Sequence, residues 1–331
     1  MLKISNNFKK YYLKQSKKLQ WVKKPKKIIK ILGKNKYIWF PDGKINLYQN
    51  CVSNHLKGVD KNKIAIITIN EKKKIKKYSY IQIDKKVNNT ANYLKKNSKK
   101  KILKIMIHAS ASIESAVIML ACSKIGFHFS VIFQELEELG IRNRIRLFKP
   151  DIFFTRLSKY KFTKIMHHKN QPKIKYIYNK QIKNIINPKK KSKQIANKVN
   201  TSYQSLFTLF TSGSTGAPKG IVHTTGGYLL YAKLTCEKQF GMNKNSIVLT
   251  ASDAGWINGH TYSLFGPLSF GATTILVEKP ISLIDKNIFE KILDLRASII
   301  YLPVTLIRLI KSLNKNLNIK KKYINAIGSM G

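Results

Sequence analysis

The chain has 331 residues, 43% of them hydrophobic, with 63 Lys and Arg against 15 Asp and Glu and a formal net charge of +48. That apolar share excludes a disordered chain, and the length accommodates two ordinary α/β units with cores of their own. No apolar run approaches the roughly 18 residues a membrane span needs, since "SIIYLPVTLIRLI" is broken at Arg308. The opening "MLKISNNFKKYY" has no apolar stretch of signal-peptide type. Cys51, Cys122 and Cys236 are odd in number and lack metal spacing, which fits a reducing compartment such as the cytoplasm. The charge invites a nucleic-acid reading, but only six of the basic residues are arginine, against 57 lysines spread along the whole chain. Arginine is the favoured reader of phosphates and base edges, so no specific nucleic-acid partner is expected, and no membrane. Abundant Lys, Asn, Ile and Tyr share AT-rich codons and point to an AT-rich genome.

In chain order, the pattern alternates short apolar runs with helical repeats. "KIAIITI" (63–69) reads as a strand and "YSYIQIDKKVNNTANYLKK" (78–96) as a helix. "KILKIMI" (101–107) is a strand, followed by a helix over 112–126 that stops at Gly126. "HFSVI" (128–132), "ELEELGIRNRIRLF" (135–148) and "DIFFT" (151–155) continue as strand, helix, strand. The segment "KQIKNIINPKKKSKQIANKVN" shows no core pattern and reads as a linker. Alternation resumes with strands at 205–212, 246–252, 273–279, 298–304 and 323–330, and a helix over most of 224–241. Such alternation predicts an α/β fold with largely parallel sheets covered by helices. The expected organisation is an N-terminal extension with a first α/β subdomain over 1–180, a Lys-rich linker over 181–200, and a second α/β subdomain over 201–331.

The most informative stretch is "TLFTSGSTGAPKGIVHTTGGY", from Thr208 to Tyr228. It is expected to follow a strand and precede a helix. Gly213, Gly216 and Gly220 let the backbone turn tightly and approach a ligand. Thr211, Ser212, Ser214 and Thr215 supply hydroxyls, the free N–H groups suit an anion, and Lys219 adds a point charge. The chemistry is that of a phosphate cradle. Neither the Gly-x4-Gly-Lys-Ser/Thr nor the Gly-x-Gly-x-x-Gly spacing occurs.

"TSGSTGAPKG" resembles the phosphate loop of the adenylate-forming superfamily. "GIVHTTGGYLLYA", "SDAGWINGHTYSLFGPLSFGATTILVE" and "NAIGSMG" are similar to AMP-forming acetyl-CoA synthetases, as are "WFPDGKINLYQNCVSNHL" and "IESAVIMLACSKIGFHFSVIF". The resemblance runs from about Trp39 to Gly331 and is weakest over 156–200. It implies an acid–thiol ligase: acetate attacks the α-phosphate of Mg·ATP, and coenzyme A then displaces AMP. Thr211, Ser212, Gly213, Ser214, Thr215, Gly216 and Lys219 would hold phosphates, and Gly331 would begin the step beside the adenine. Trp256, Ile257 and Met330 match the acyl pocket. Asn258 matches a residue near the acyl group and coenzyme A, and Lys161 and Lys164 match two arginines at the coenzyme A nucleotide. A propionyl-CoA synthetase-type ligase is the nearest alternative, and "HTTGG" and "GSMG" favour acetate.

Departures from the pattern include Ala217 for a frequent lysine, Phe210 for a tyrosine, and "YLPVT" at 301–305. His223 and His260 read as packing residues, and no metal ligands are expected here. The resemblance also implies a Mg²⁺-binding Thr-Glu motif, a ribose aspartate and a mobile C-terminal domain carrying a catalytic lysine, all beyond position 331. The expectation is a truncated second subdomain, inactive alone. A fragment, a premature stop, or a split enzyme completed by a second chain are the three readings of that end. A decayed, non-catalytic remnant is the competing functional class.

Overall fold

A computed structural model describes residues 5–33, 36–98, 100–166, 174–190, 192–211, 218–313 and 323–330. The chain begins with helix α1 (Asn6–Ser16), capped by the Ser5 hydroxyl, which accepts the Phe8 N–H at 3.1 Å. An antiparallel ribbon of β1 (Ile29–Gly33) and β2 (Lys36–Trp39) follows, then the short β3 (Lys44–Ile45) and α2 (Leu47–Cys51). Trp21 and Phe40 are buried edge to face beneath this segment, at 5.2 Å between ring centroids.

The α/β alternation then starts. It runs β4 (Ile64–Ile69), β5 (Ile75–Ser79), α3 (Tyr80–Lys96), β6 (Lys104–His108), α4 (Ile113–Ile125), β7 (His128–Ile132), α5 (Glu138–Phe148) and β8 (Ile152–Thr155). Helix α6 (Lys159–Met166), β9 (Lys175–Tyr178), α7 (Asn179–Ile186) and the short β10 (Asn200–Thr201) precede β11 (Ser205–Thr211) and β12 (Lys219–Thr224). Next come α8 (Thr225–Phe240), β13 (Ile247–Thr250), α9 (Ile257–His260), α10 (Gly266–Ser269), β14 (Thr273–Val277), α11 (Lys286–Asp294), β15 (Ile299–Pro303), α12 (Val304–Leu313) and β16 (Ala326–Met330).

Two six-stranded sheets form among the described residues. The first has the order β12-β11-β7-β6-β8-β9 and the second β16-β15-β13-β14-β4-β5. Each is parallel except at one pair, β11 with β12 and β4 with β5. Both antiparallel partners lie at or next to a sheet margin and carry exposed, lysine-bearing faces, the composition expected of an edge strand.

Helix α4 lies between the sheets. It is buried without a break from Ser115 to Ile125, as a helix with apolar residues on every face must be. A reciprocal cap starts it: the Ser112 hydroxyl accepts the Ser115 N–H, and the Ser115 hydroxyl accepts the Ser112 N–H. The largest core fills this middle layer, where Val87, Leu120, Phe129, Phe207 and Leu229 meet Ile66 and Leu276 of the second sheet. A second core seals the far face of the second sheet under α11 and α12, and a third seals the far face of the first sheet under α5 and α6. The layers therefore run helix, sheet, helix, sheet, helix.

The fold corrects the expected organisation at two points. The sheets do not divide at 181–200: β4 and β5 from the first half join the later strands, and β11 and β12 from the second half complete the earlier sheet. Periodicity identifies a buried strand, but not which sheet it joins. The 181–200 segment is also not simply a linker. It holds most of α7, which buries Ile182 and Ile186, and beyond α7 the chain straps across α3, where the Asn88 side chain accepts the Ile195 N–H at 2.8 Å.

Candidate functional site

Ligands of open parallel sheets bind in the crevice outside the carboxyl ends of the strands. Here those ends converge. Arg156, just after β8, reaches Ser110 after β6 and Gln134 after β7 at 3.2 and 3.3 Å. The same guanidinium lies 3.4 Å from both Glu71 after β4 and Glu278 after β14. Two of those residues belong to the second sheet, so one arginine ties the carboxyl edges of both sheets together. Burial pushes the Glu278 carboxyl up, and the Arg156 charge pulls it back down. His108 lies beneath, its Nε2–H donating to the Gln134 carbonyl at 3.0 Å, and burial holds its ring down at about 4. Sequence reasoning missed this bridge because its parts are single residues in five separate loops.

Of the phosphate-loop candidates, Thr211 and Lys219 sit at the carboxyl edge of the first sheet. Strands β11 and β12 form an antiparallel hairpin whose last pair is Thr211 with Lys219, both exposed. Residues Ser212, Gly213, Ser214, Thr215 and Gly216 lie outside the described residues, as does Gly331. The loop was expected to follow a strand and precede a helix. Strand β12 intervenes before that helix, and α8 begins at Thr225. The segment "KGIVHT" lacks the buried alternation that marks a strand because its four leading residues are exposed. The hairpin's root is firm: Phe210 is buried in the third core with the Arg144 guanidinium over its ring at 5.8 Å.

The acyl-pocket candidates share the carboxyl edge of the second sheet. The chain leaves β13 at Thr250, and Trp256, Ile257 and Asn258 stand at the start of α9. The backbone of Met330 pairs with Pro303 at the end of β15, the strand beside β13; its side chain lies outside the described residues. Helix α9 is pressed onto the first sheet as well. Trp256, 58% exposed, rests against Phe133 at 5.1 Å. His260 is fully buried, stacked on Phe129 at 5.9 Å and tilted against Phe207 at 4.5 Å. His223 also stacks on Phe207, at 4.7 Å. Burial holds the His223 ring down and pushes His260 to about 3, so both act as neutral packing groups between hairpin and α9.

The coenzyme A candidates are more dispersed. Lys161 is exposed on α6, and Lys164 belongs to the same helix, its side chain outside the described residues. Helix α6 follows β8, which β6 and β7 separate from β11. The structure therefore brings the hairpin and the α9 residues onto neighbouring edges and leaves Lys161 two strands away.

Two largely parallel sheets with their carboxyl edges tied together and a hydroxyl- and lysine-bearing hairpin on one of them define an acyl-CoA-synthetase-like fold. The crystal structure of a Brucella canis acyl-CoA synthetase matches it with a TM-score of 0.76 and 19% identity, over 88% of this chain and 53% of that one. A family model described as AMP-binding enzyme matches residues 57–329, and the chain belongs to that family. A model described as the acetyl-coenzyme A synthetase N-terminus matches residues 3–51. The acetyl-coenzyme A synthetase of Helicobacter pylori strain P12 is 30% identical over 347 residues, covering 95% of this chain and 51% of that protein. That of Leptospira biflexa serovar Patoc is 31% identical over 351 residues, covering 97% and 54%. That of Campylobacter jejuni subsp. jejuni strain 81-176 is 33% identical over 270 residues, covering 73% and 40%. The chain spans about half the length of the curated relatives it matches.

Proposed function

We propose that the chain forms the nucleotide- and acetate-binding half of an AMP-forming acetate:CoA ligase. In that reaction an acetate oxygen attacks the α-phosphorus of ATP, and the bond to the departing diphosphate breaks. The coenzyme A thiolate then attacks the acyl carbon of acetyl-adenylate and releases AMP. The observation that carries this reading is that the β11–β12 hairpin and the Trp256-bearing helix lie at neighbouring carboxyl edges of the two sheets, with Phe207 of β11 packed on His260 of α9. The relatives' acetyl-CoA synthetase names support acetate as the acid.

The chemistry asks for charge neutralisation on phosphates rather than for a protein nucleophile. Thr211, Lys219 and the intervening loop residues would supply it, with Gly331 beside the adenine. Trp256, Ile257 and Met330 would wall the acyl group, and Asn258, Lys161 and Lys164 would face coenzyme A. Mg²⁺ would arrive with the triphosphate. Among the described residues no three His, Cys, Asp or Glu gather to hold an ion, so these residues do not form a metal cage and no step is assigned to one.

The ribose, metal and C-terminal lysine groups belong to the other half of the ligase, whether continuous with this one or on a second chain. The three cysteines are free and buried, which supports a reducing, cytoplasmic setting; no helix among the described residues is long and apolar enough to cross a membrane. The test joins residues 1–331 to the remaining half of the Leptospira biflexa acetyl-coenzyme A synthetase. The chimera is expected to release pyrophosphate in an acetate-dependent way, and residues 1–331 alone are expected not to. Release by 1–331 alone, or none from a folded chimera, contradicts the proposal.

A further inference from the structure

The turn joining β13 to α9 is built around one carboxyl group. Asp253 Oδ1 accepts the Gly255 N–H at 2.7 Å, and the Asp253 carbonyl accepts the Trp256 N–H at 3.2 Å. A carboxylate that grips the amide two residues on closes a side-chain-mediated turn. The next turn of chain is pressed onto it. A Cβ at Gly259 would lie 2.2 Å from the Asp253 carbonyl oxygen, and one at Gly255 would lie 2.7 Å from Phe133 Cδ1. Trp256 emerges from this coil against Phe133, and its carbonyl accepts the His260 Nδ1–H at 3.1 Å. The wall of the acyl pocket thus hangs from Asp253 on one side and from His260 on the other.

Of these two supports, only Asp253 titrates near neutral pH. Burial pushes its carboxyl up to about 6, the Gly255 N–H pulls it down, and the negative charge of Glu135 pushes it further up. Glu135 follows β7, and His260 in α9 is held neutral by burial. His223 on β12 and His128 on β7 are likewise held down by burial.

We propose that Asp253 is a positioning residue: its carboxylate holds the turn that seats Trp256 against Phe133, and it holds that seat more weakly on taking up a proton. The ionised form makes a charge-assisted hydrogen bond about twice as strong as the neutral one. The inference rests on the reading above that Trp256 walls the acyl pocket, but its test does not need the ligase reaction.

Residues 1–331 are labelled with 5-fluorotryptophan, and the Trp256 resonance is assigned with Trp256→Phe. Its ¹⁹F shift is expected to titrate with a midpoint near the value given for Asp253, and to stay flat in Asp253→Asn, which keeps the turn acceptor without the charge. Asp253→Ala is expected to displace the resonance at every pH, with Trp21 and Trp39 unmoved as controls of folding. If Asp253→Ala does not fold, the Asn variant still decides. A native resonance that does not titrate, or one that titrates equally in Asp253→Asn, overturns the proposal. In the chimera, the KM for acetate is expected to rise roughly five-fold on acidification through this range, with kcat changed less, and not to rise in Asp253→Asn. A chimera that forms no acetyl-adenylate defeats the functional reading and leaves the ¹⁹F titration to decide the role of Asp253.

Discussion

Lys219 stands exposed at the hairpin end, opposite Thr211, where a mobile ammonium can follow charge that develops on a leaving diphosphate. Lys219→Ala is expected to slow adenylation by the chimera about 10²-fold with the fold intact, measured as acetate-dependent pyrophosphate release. Asp253 contributes in a different currency. Its ordinary carboxyl value is 3.8 and its folded value about 6, so between the two the folded state holds the proton that the unfolded state has lost. Stability therefore falls as pH rises through that window, and the cost of the buried carboxylate is fully present above it, on the order of 3 kcal/mol at most. Asp253→Asn is expected to raise Tm relative to the parent at pH 7.5 and to match it near pH 4; equal Tm at pH 7.5 contradicts the assignment. Lys219 could be proposed from the sequence because glycines, hydroxyls and a lysine fall together in one short run. Asp253 could not, because its role depends on burial and on an amide two residues away. The unlabelled run "SDAGW" shows neither.

At the scale of elements, α4 carries the fold's least expected charge. Lys124 is 2% exposed in a helix otherwise buried among apolar side chains. Its ammonium lies over the Tyr48 ring at 4.5 Å and 3.7 Å from Asp84, and the Tyr48 hydroxyl donates to the same carboxylate. Burial pushes the Lys124 ammonium down, and Asp84 pushes it back up; burial also drives the Tyr48 phenol well up. The triad clamps α2 and α3 to α4. Removing one partner leaves the other buried and unpaired, so Lys124→Ala is expected to cost about 3–5 kcal/mol in urea unfolding. A loss under 1 kcal/mol contradicts the clamp. Helix α4 and strand β7 were legible because their apolar runs are long or bounded by turn residues; β7 was read over 128–132 and spans His128–Ile132. Strands β5 and β12 were not, since an exposed edge strand carries lysines on faces that burial does not constrain.

For the whole molecule, the sheet order could not be read from contiguity, because each sheet draws strands from both halves of the chain. Arg156 is the joint this creates. Arg156→Ala would leave Glu278, whose side chain is 9% exposed, without its cation, and is expected to cost about 1–3 kcal/mol. The net charge of +48 acts on the same scale. Self-repulsion among dispersed lysines is screened as the Debye length contracts from about 30 Å at 0.01 M to about 8 Å at 0.15 M salt. Tm is therefore expected to rise between those ionic strengths, and a salt-independent Tm contradicts this.

The central proposal is that the completed ligase activates acetate in a narrow pocket walled by Trp256, Ile257 and Met330, with Asn258 beside it. One methylene changes selectivity by roughly 10–200-fold in such pockets, and overfilling a packed site costs about 1–3 kcal/mol. The measurement is ATP–pyrophosphate exchange by the chimera of residues 1–331 with the remaining half of the Leptospira biflexa protein, using acetate, propionate and butyrate in turn. Exchange is expected to be fastest with acetate, slower with propionate, and absent with butyrate. Exchange with butyrate as fast as with acetate, or a folded chimera that exchanges with no acid at all, would contradict that proposal.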